Sequence, residues 1–152
     1  MFLGRRPKEV LRSPDVVVEL LPAPWTGEVI AFIGVAAGYI HEIEKKWNIN
    51  LSAISNQGKM EKRFDFVIKT DNQIYVIETN FYSSSGSKLN ETARSYKTLA
   101  QEVATIKGVT FIWFTDGCGW NSAKNNLEET FDVLDTIYNI QDLENNILNK
   151  LI

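Results

Sequence analysis

The chain has 152 residues, of which 44% are hydrophobic and 23% are charged. These values predict one folded domain with a real core, and they exclude a wholly disordered chain or two full domains. The net charge of −3 does not by itself indicate a nucleic-acid binder, and no apolar run is long enough to span a membrane.

Charge is distributed unevenly along the chain. Residues 59 to 97 hold seven Lys and Arg against five Asp and Glu, and residues 98 to 152 hold three against eight. Phosphate binding requires a local basic surface rather than a basic protein, so phosphate contacts are expected from the middle of the chain. The one cysteine, Cys118, excludes an internal disulfide bond and fits a reducing compartment, so we expect a cytoplasmic protein.

The first part of the sequence, residues 1 to 38, differs from the rest. Three prolines between residues 14 and 24 would break any long helix, and the apolar run at residues 29 to 37 is too short to cross a membrane. We interpret it as an atypical N-terminal segment, and native structure, poor order and a truncated or frame-shifted gene all stay open. Residues 39 to 152 are expected to form one domain.

Two short apolar stretches, residues 62 to 68 and residues 75 to 82, flank polar residues and predict a β-hairpin. Each stretch contains one carboxylate that its apolar neighbours do not explain, Asp65 in the first and Glu78 in the second. If the strands pair, the two carboxylates can lie close together, and Glu78 and Asn80 share a face because side chains alternate along a strand. Such a pair suits Mg²⁺, although an acidic residue at a strand end is often only solvated.

The remaining sequence predicts an α/β fold with a mixed sheet, in the element order αβββαβα with a closing helix. Hydrophobic periodicity and turn residues define these elements. A first strand is predicted at residues 48–55, and the helix after the hairpin is capped by Ser87, carries an apolar stripe from Leu89 to Ile106 and stops at Gly108. A buried strand at residues 109–114 then leads into a glycine-rich loop over Trp120. Two helices follow, one at residues 121–131 with Leu127 and Phe131 pointing inward and a last one at residues 142–152.

An aspartate, a hairpin and a glutamate followed two residues later by lysine or a substitute form the pattern of the PD-(D/E)xK nucleases, and Asp65, Glu78 and Asn80 occupy those positions. Further matching stretches are residues 62–69, 77–83, 86–97, 115–117, 119–120, 125–127 and 129–131. Together they resemble the C-terminal part of the DpnII/MboI family of type II restriction endonucleases. The resemblance covers about residues 39 to 152.

This resemblance implies a restriction-endonuclease-like fold, a central mixed sheet flanked by helices. It further implies hydrolysis of double-stranded DNA at unmodified GATC sites with Mg²⁺ as cofactor. Since a palindromic site matches a two-fold symmetric protein, the resemblance favours a homodimer.

The resemblance also assigns roles to individual residues. Asp65 and Glu78 are the expected metal ligands, and Asn80 stands where the motif has lysine, so it lacks the positive charge of that residue. Asn80 orients the water, or Lys88 supplies the charge, or the metal acts alone; we favour Asn80 assisted by Lys88. Independently of the resemblance, basic and amide side chains can bond to phosphates or purine edges, although the same residues are equally typical of an ordinary surface. The residues expected to contact DNA are Arg63, Lys88, Arg94, Lys97, Asn121 and Lys124.

Three functions stay open at this stage. The first is a site-specific restriction enzyme. The second is a catalytically silent remnant or DNA-binding module of the same family, which the altered N-terminal segment would favour and the intact carboxylates oppose. The third is a nuclease of different specificity, because a fold alone does not determine the substrate.

Overall fold

The computed structural model describes residues 38–56 and 61–151. The atypical segment predicted for residues 1–38 therefore lies outside the described residues, apart from Gly38. In chain order the elements are β1 (Gly38–Tyr39), α1 (Ile40–Trp47), β2 (Arg63–Phe64), β3 (Phe66–Lys69), β4 (Ile74–Phe81), α2 (Ser87–Ala104), β5 (Val109–Asp116), a 3₁₀ helix (Cys118–Ser122), α3 (Lys124–Phe131), β6 (Ile137–Tyr138), α4 (Ile140–Glu144) and α5 (Leu148–Leu151).

The main sheet of the described residues has four strands in the order β3-β4-β5-β6. The first two strands are antiparallel, with Phe66 opposite Ile77, so the predicted hairpin is confirmed. β4 and β5 run parallel along their whole lengths, and β6 is parallel to β5. The sheet is thus mixed, and with its flanking helices it forms the expected α/β fold. β1 and β2 form a separate antiparallel pair.

The central strands read as nearly continuous apolar runs because the sheet is covered on both faces. One face forms the larger core, in which Val76 and Trp113 pack with Leu89 of α2. The other face forms a smaller core, in which Ile77 and Ile112 of the same two strands pack with residues of α4 and α5. The alternation of side chains along β4 thus directs Glu78 and Asn80 towards the α2 side, the face of Val76.

The helix predicted after the hairpin is confirmed as α2, although its ends differ from the prediction. Gly86 is its N-cap and Ser87 is its first residue, so the predicted capping by the Ser87 side chain is wrong. The helix ends at Ala104, and the hydroxyl of the next residue, Thr105, donates a hydrogen bond to the carbonyl of Glu102 in the last turn. Gly108 lies beyond it in the turn before β5, with a φ of 80° that favours glycine.

The strand predicted at residues 48–55 is wrong. Asn48 ends α1 with a left-handed φ of 50°. A carboxylate oxygen of Glu44 then accepts a hydrogen bond from the backbone N–H of Leu51 at 2.7 Å, and the N–H of Ile54 bonds back to the carbonyl of Leu51 at 2.9 Å. The apolar alternation in this segment therefore comes from a turn that buries Leu51 and Ile54, not from an extended strand.

Two more differences occur in the C-terminal part. The helix predicted at residues 121–131 is divided into the 3₁₀ helix and α3, and Phe131, predicted to point inward, is 46% exposed. The single last helix is wrong as well, because Asn146 takes a φ of 59° and separates α4 from α5. β6 contains two residues, too few to produce a visible pattern in the sequence. Within the described ranges, no helix has the length and apolar character needed to cross a membrane.

Candidate active site

The two carboxylates expected at the site are brought together by the pairing of β3 with β4. Asp65 is the bend residue immediately before β3, and because Phe66 pairs with Ile77, it lies across from Glu78 and Thr79. Its Oδ2 atom accepts hydrogen bonds from the backbone N–H of Thr79 at 2.8 Å and from the Thr79 hydroxyl at 3.1 Å. These two bonds fix Asp65 at the end of the hairpin, beside Glu78.

Glu78 is the one charged residue that is buried in the described part of the chain, with 5% of its surface exposed. Its Oε1 atom lies 2.8 Å from the ammonium nitrogen of Lys62, and the Tyr96 hydroxyl of α2 donates a hydrogen bond of 2.5 Å to its Oε2 atom. Despite the short distance to Lys62, Oε1 accepts no hydrogen bond of regular geometry. The contact is therefore an ion pair whose acceptor still has lone-pair capacity.

The burial of this cluster shifts its ionisation. Loss of hydration raises the pKa of the Glu78 carboxyl, and the nearby Asp65 charge raises it further, while Lys62 and the Tyr96 hydrogen bond oppose the shift. The pKa of Tyr96 is also raised, first by burial and then by the Glu78 charge, so Tyr96 stays protonated and acts as a donor. Perturbed groups of this kind concentrate at functional sites.

Asn80 lies two residues beyond Glu78 on the same strand, and its side-chain oxygen is already engaged. It accepts hydrogen bonds from the indole N–H of Trp113 at 3.2 Å and from the hydroxyl of Thr115 at 2.6 Å. The Thr115 oxygen in turn accepts a bond of 2.8 Å from the indole N–H of Trp120. The amide nitrogen of Asn80 is the group that keeps donors for a ligand, and its predicted role in catalysis stays a prediction.

The buried Trp120 lies beneath the glycine-rich loop, as the sequence predicted. Its ring packs edge-on against Tyr82 and Trp113. Gly117 and Gly119 lie in this loop close to the backbone of the segment after β4, and the N–H of Gly119 donates to the Tyr82 carbonyl at 2.9 Å. The loop thus supports the end of β4 that carries Glu78 and Asn80.

The predicted DNA-contacting residues are spread over several elements. Arg63, Lys88, Arg94 and Asn121 are exposed, and the Arg63 guanidinium lies over the Tyr39 ring at 5.7 Å. Lys97 forms an ion pair of 3.1 Å with Glu129, and Lys124 forms one of 3.5 Å with Glu128. Surface pairs such as these are weak and can be exchanged for phosphate. The DNA-contacting roles therefore stay predictions.

Sequence reasoning missed two members of the site. Lys62 begins the first stretch of the predicted hairpin, three residues before Asp65, and nothing in the sequence pattern marks it as a partner of Glu78. Tyr96 lies within the predicted apolar stripe of α2, and its ring does pack edge-on against Trp113 at 5.0 Å. A tyrosine at a core position is a warning signal, because its hydroxyl needs a buried partner. Here that partner is Glu78.

A mixed sheet that carries an aspartate and a buried glutamate side by side on a hairpin, with helices on both faces, is compatible with the class of proteins that have a restriction-endonuclease-like fold. The order of Asp65, hairpin, Glu78 and Asn80 suggested the same class.

Comparisons with known proteins give the family within this class. A sequence profile of the DpnII restriction endonuclease family matches residues 28–150, beginning ahead of the boundary at residue 39 that the sequence suggested. The chain therefore belongs to the DpnII restriction endonuclease family. No solved structure matches it significantly.

Individual relatives are type II restriction enzymes. The chain is 61% identical to DpnII of Streptococcus pneumoniae over 111 residues, which cover 73% of this chain and 38% of that enzyme. It is 46% identical to MboI of Moraxella bovis over 96 residues, covering 63% and 34%. It is 40% identical to MjaIII of Methanocaldococcus jannaschii over 114 residues, covering 73% and 38%. The chain thus spans less than two fifths of the length of these relatives.

Proposed function

We propose that this chain is the nuclease core of a type II restriction endonuclease that hydrolyses double-stranded DNA at unmodified GATC sites with Mg²⁺. The observation that carries the proposal is the pairing of Asp65 with Glu78 at the end of a rigid hairpin, in a chain of this family. The family supports DNA as the substrate, and the sequence resemblance supports GATC.

The donor set at the site fits a magnesium ion. Asp65 and Glu78 offer carboxylate oxygens, which hard cations prefer, and Oε1 of Glu78 is buried without a hydrogen bond. Among the described residues, no group of three or more His, Cys, Asp or Glu side chains is arranged to hold a metal ion. Mg²⁺ typically uses one or two carboxylates and completes its shell with waters and substrate phosphate.

A bound magnesium ion would supply charge stabilisation and activation of the attacking water. The protein's own residues supply position. Thr79 clamps Asp65, Tyr96 orients Glu78, and Asn80 keeps an amide donor for the water or for a phosphate oxygen. In the hydrolysis, the water oxygen bonds to phosphorus while the bond to the leaving oxygen breaks and that oxygen takes up a proton.

The experiment compares cleavage of a GATC duplex, a methylated GATC duplex and a GATC-free duplex, with Mg²⁺ and with EDTA. Asp65→Ala is compared with Asp71→Ala, because Asp71 is an exposed aspartate in the turn of the same hairpin. We expect cleavage of the unmodified GATC duplex only, lost with EDTA and in Asp65→Ala and retained in Asp71→Ala.

Two other results would favour the alternatives. Equal cleavage of all three duplexes would indicate a nuclease of different specificity. No cleavage by protein shown to be folded would indicate a catalytically silent remnant or DNA-binding module. Sedimentation of the chain with and without the GATC duplex tests the proposed homodimer, and a cytoplasmic location stays a prediction.

A further inference from the structure

We propose that Lys62 supplies the positive charge of this site. In the metal-free chain Lys62 forms an ion pair with Glu78. When a divalent cation binds Glu78, the Lys62 ammonium group moves to the scissile phosphate. This inference rests on the proposed function, which places a cation at Asp65 and Glu78. It names a residue that the nuclease motif does not contain at this position.

The geometry around Lys62 is that of a built site rather than of a surface pair. Its side chain is 15% exposed, and its ammonium nitrogen lies 2.8 Å from Glu78 Oε1. The same nitrogen lies 5.4 Å from the centre of the Phe64 ring and 5.5 Å from that of the Tyr96 ring. Aromatic faces attract an ammonium group and shield it from water, so this charge acts at short range with little screening.

The pairing with Glu78 is suited to exchange. Oε1 accepts no hydrogen bond of regular geometry, so the contact with Lys62 is mainly a Coulomb attraction. A buried ion pair of this kind contributes little net stability, because the loss of hydration offsets the attraction. A divalent cation on the same carboxylate can therefore displace Lys62, whose flexible stem allows the ammonium to reach a nearby phosphate.

The other candidates for this charge are placed less favourably. Asn80 carries no charge, and its oxygen binds Trp113 and Thr115. Lys88 and Arg94 are exposed on α2, and within the described ranges neither side chain forms an ion pair with Asp65 or Glu78. Among the described residues, Lys62 is the cationic side chain that forms an ion pair with a site carboxylate.

The first test measures Mn²⁺ binding to the free chain by electron paramagnetic resonance at pH 8, which requires neither DNA nor activity. Lys62→Met removes the competing charge, so we expect Mn²⁺ to bind on the order of tenfold more tightly than to wild type. Lys62→Arg keeps the charge and should bind Mn²⁺ like wild type. Lys107→Met removes an exposed lysine in the turn before β5 and serves as the matched control, without effect.

The second test measures single-turnover cleavage of the GATC duplex at saturating Mg²⁺. Loss of one charge that stabilises the transition state typically costs about a hundredfold or more in rate, and we expect this loss in Lys62→Met. Lys62→Arg should recover part of the rate, and Lys107→Met should cleave like wild type. Tighter Mn²⁺ binding together with slower cleavage in Lys62→Met indicates that Lys62 acts on the phosphate. If Lys62 had only a structural role, its loss would weaken both metal binding and cleavage.

The outcomes distinguish the inference from the proposed function. If wild type and Lys62→Met bind Mn²⁺ equally, or if Lys62→Met cleaves at the wild-type rate, the inference is overturned while the metal site stands. If neither protein binds Mn²⁺, the metal site and the inference both fail. If Lys62→Met is unfolded by circular dichroism, Lys62→Gln takes its place in both measurements, with the same expected results.

Discussion

At the scale of single residues, the site combines two carboxylates with different surroundings. Asp65 is half-buried and is held by two hydrogen bonds from Thr79, whereas Glu78 is buried between Lys62 and Tyr96. The Asp65 carboxylate stabilises the structure through the oxygen that accepts from Thr79, and its charge serves the proposed metal binding. These two contributions can be separated by substitution.

Asp65→Asn keeps an oxygen that can accept from Thr79 but removes the charge, whereas Asp65→Ala removes both. We expect Asp65→Asn to lose Mn²⁺ binding with a free energy of unfolding close to wild type. Asp65→Ala should lose metal binding and also about 1 to 3 kcal/mol of stability, because the Thr79 N–H loses its partner. Urea unfolding and Mn²⁺ titration measure the two effects. Equal destabilisation by both variants would contradict the assignment.

The burial of Glu78 predicts how the stability of the chain depends on pH. Its pKa is raised in the folded chain by burial, so the folded state holds this proton more tightly than the unfolded state. The stability associated with this group is therefore fully present below the unfolded pKa and falls as pH rises through the folded pKa. Glu78→Gln mimics the neutral form, and we expect it to be more stable than wild type at pH 8, with the difference vanishing towards pH 4.5.

Thermal unfolding in EDTA between pH 4.5 and 8 measures this difference. Glu144→Gln, an exposed glutamate of α4, is the matched control and should show no such trend. The raised pKa of Glu78 means that the cost of burying its charge exceeds the attraction of Lys62. Glu78→Gln should therefore increase stability at pH 8 even though Lys62 loses its counter-ion. A lower stability of Glu78→Gln at pH 8 would show that the ion pair dominates instead.

At the scale of elements, the site depends on two segments that meet after parallel strands β4 and β5. The carbonyl of Tyr82 accepts from the N–H of Gly119, and the N–H of Tyr82 donates to the carbonyl of Asp116. Gly117 has a φ of 114°, and a Cβ atom there would lie 2.1 Å from the Tyr82 carbonyl oxygen. Glycine is required because backbone, not a movable side chain, occupies the space.

We expect Gly117→Ala to destabilise the chain by at least about 2 kcal/mol, since it combines a strained φ with a backbone clash. It should also weaken Mn²⁺ binding, because the end of β4 must shift. Gly86→Ala is the comparison, since no atom lies within 4 Å of a Cβ at that position, and it should cost less than Gly117→Ala because only the preference of an N-cap for glycine over alanine is lost. Guanidinium unfolding of both variants checks this, and similar midpoints would contradict the packing argument.

At the scale of the whole molecule, one sheet joins two cores of different size. The larger core contains most of the buried aromatic and aliphatic residues, and the smaller one seals the opposite face with α4 and α5. The Tyr75 hydroxyl donates to the Leu151 carbonyl at 2.9 Å and fastens the last helix to the sheet. Because both cores share β4 and β5, we expect them to unfold together.

Leu148→Ala tests this expectation from the smaller core. Leu148 is 7% exposed, and its truncation should cost roughly 2 to 5 kcal/mol in a single unfolding transition. Lys150→Ala, an exposed residue of the same short helix, should leave the melting temperature nearly unchanged. Two separate transitions in calorimetry, with only the first shifted by Leu148→Ala, would show that the smaller core unfolds independently.

The sequence by itself determined the hairpin, the buried strand and helix α2, because periods of 2.0 and 3.6 residues are local properties. It also determined the carboxylate pair, since β3 and β4 adjoin along the chain. Only the tertiary structure decided the partners of those carboxylates. Lys62 and Tyr96 reach Glu78 from different elements, and contacts between distant elements leave no period in a sequence. The turn at residues 48–55 likewise depends on the left-handed backbone of Asn48 and on the burial of Leu51 and Ile54, and the break between the last two helices depends on the left-handed backbone of Asn146. These tertiary features override the local hydrophobic pattern.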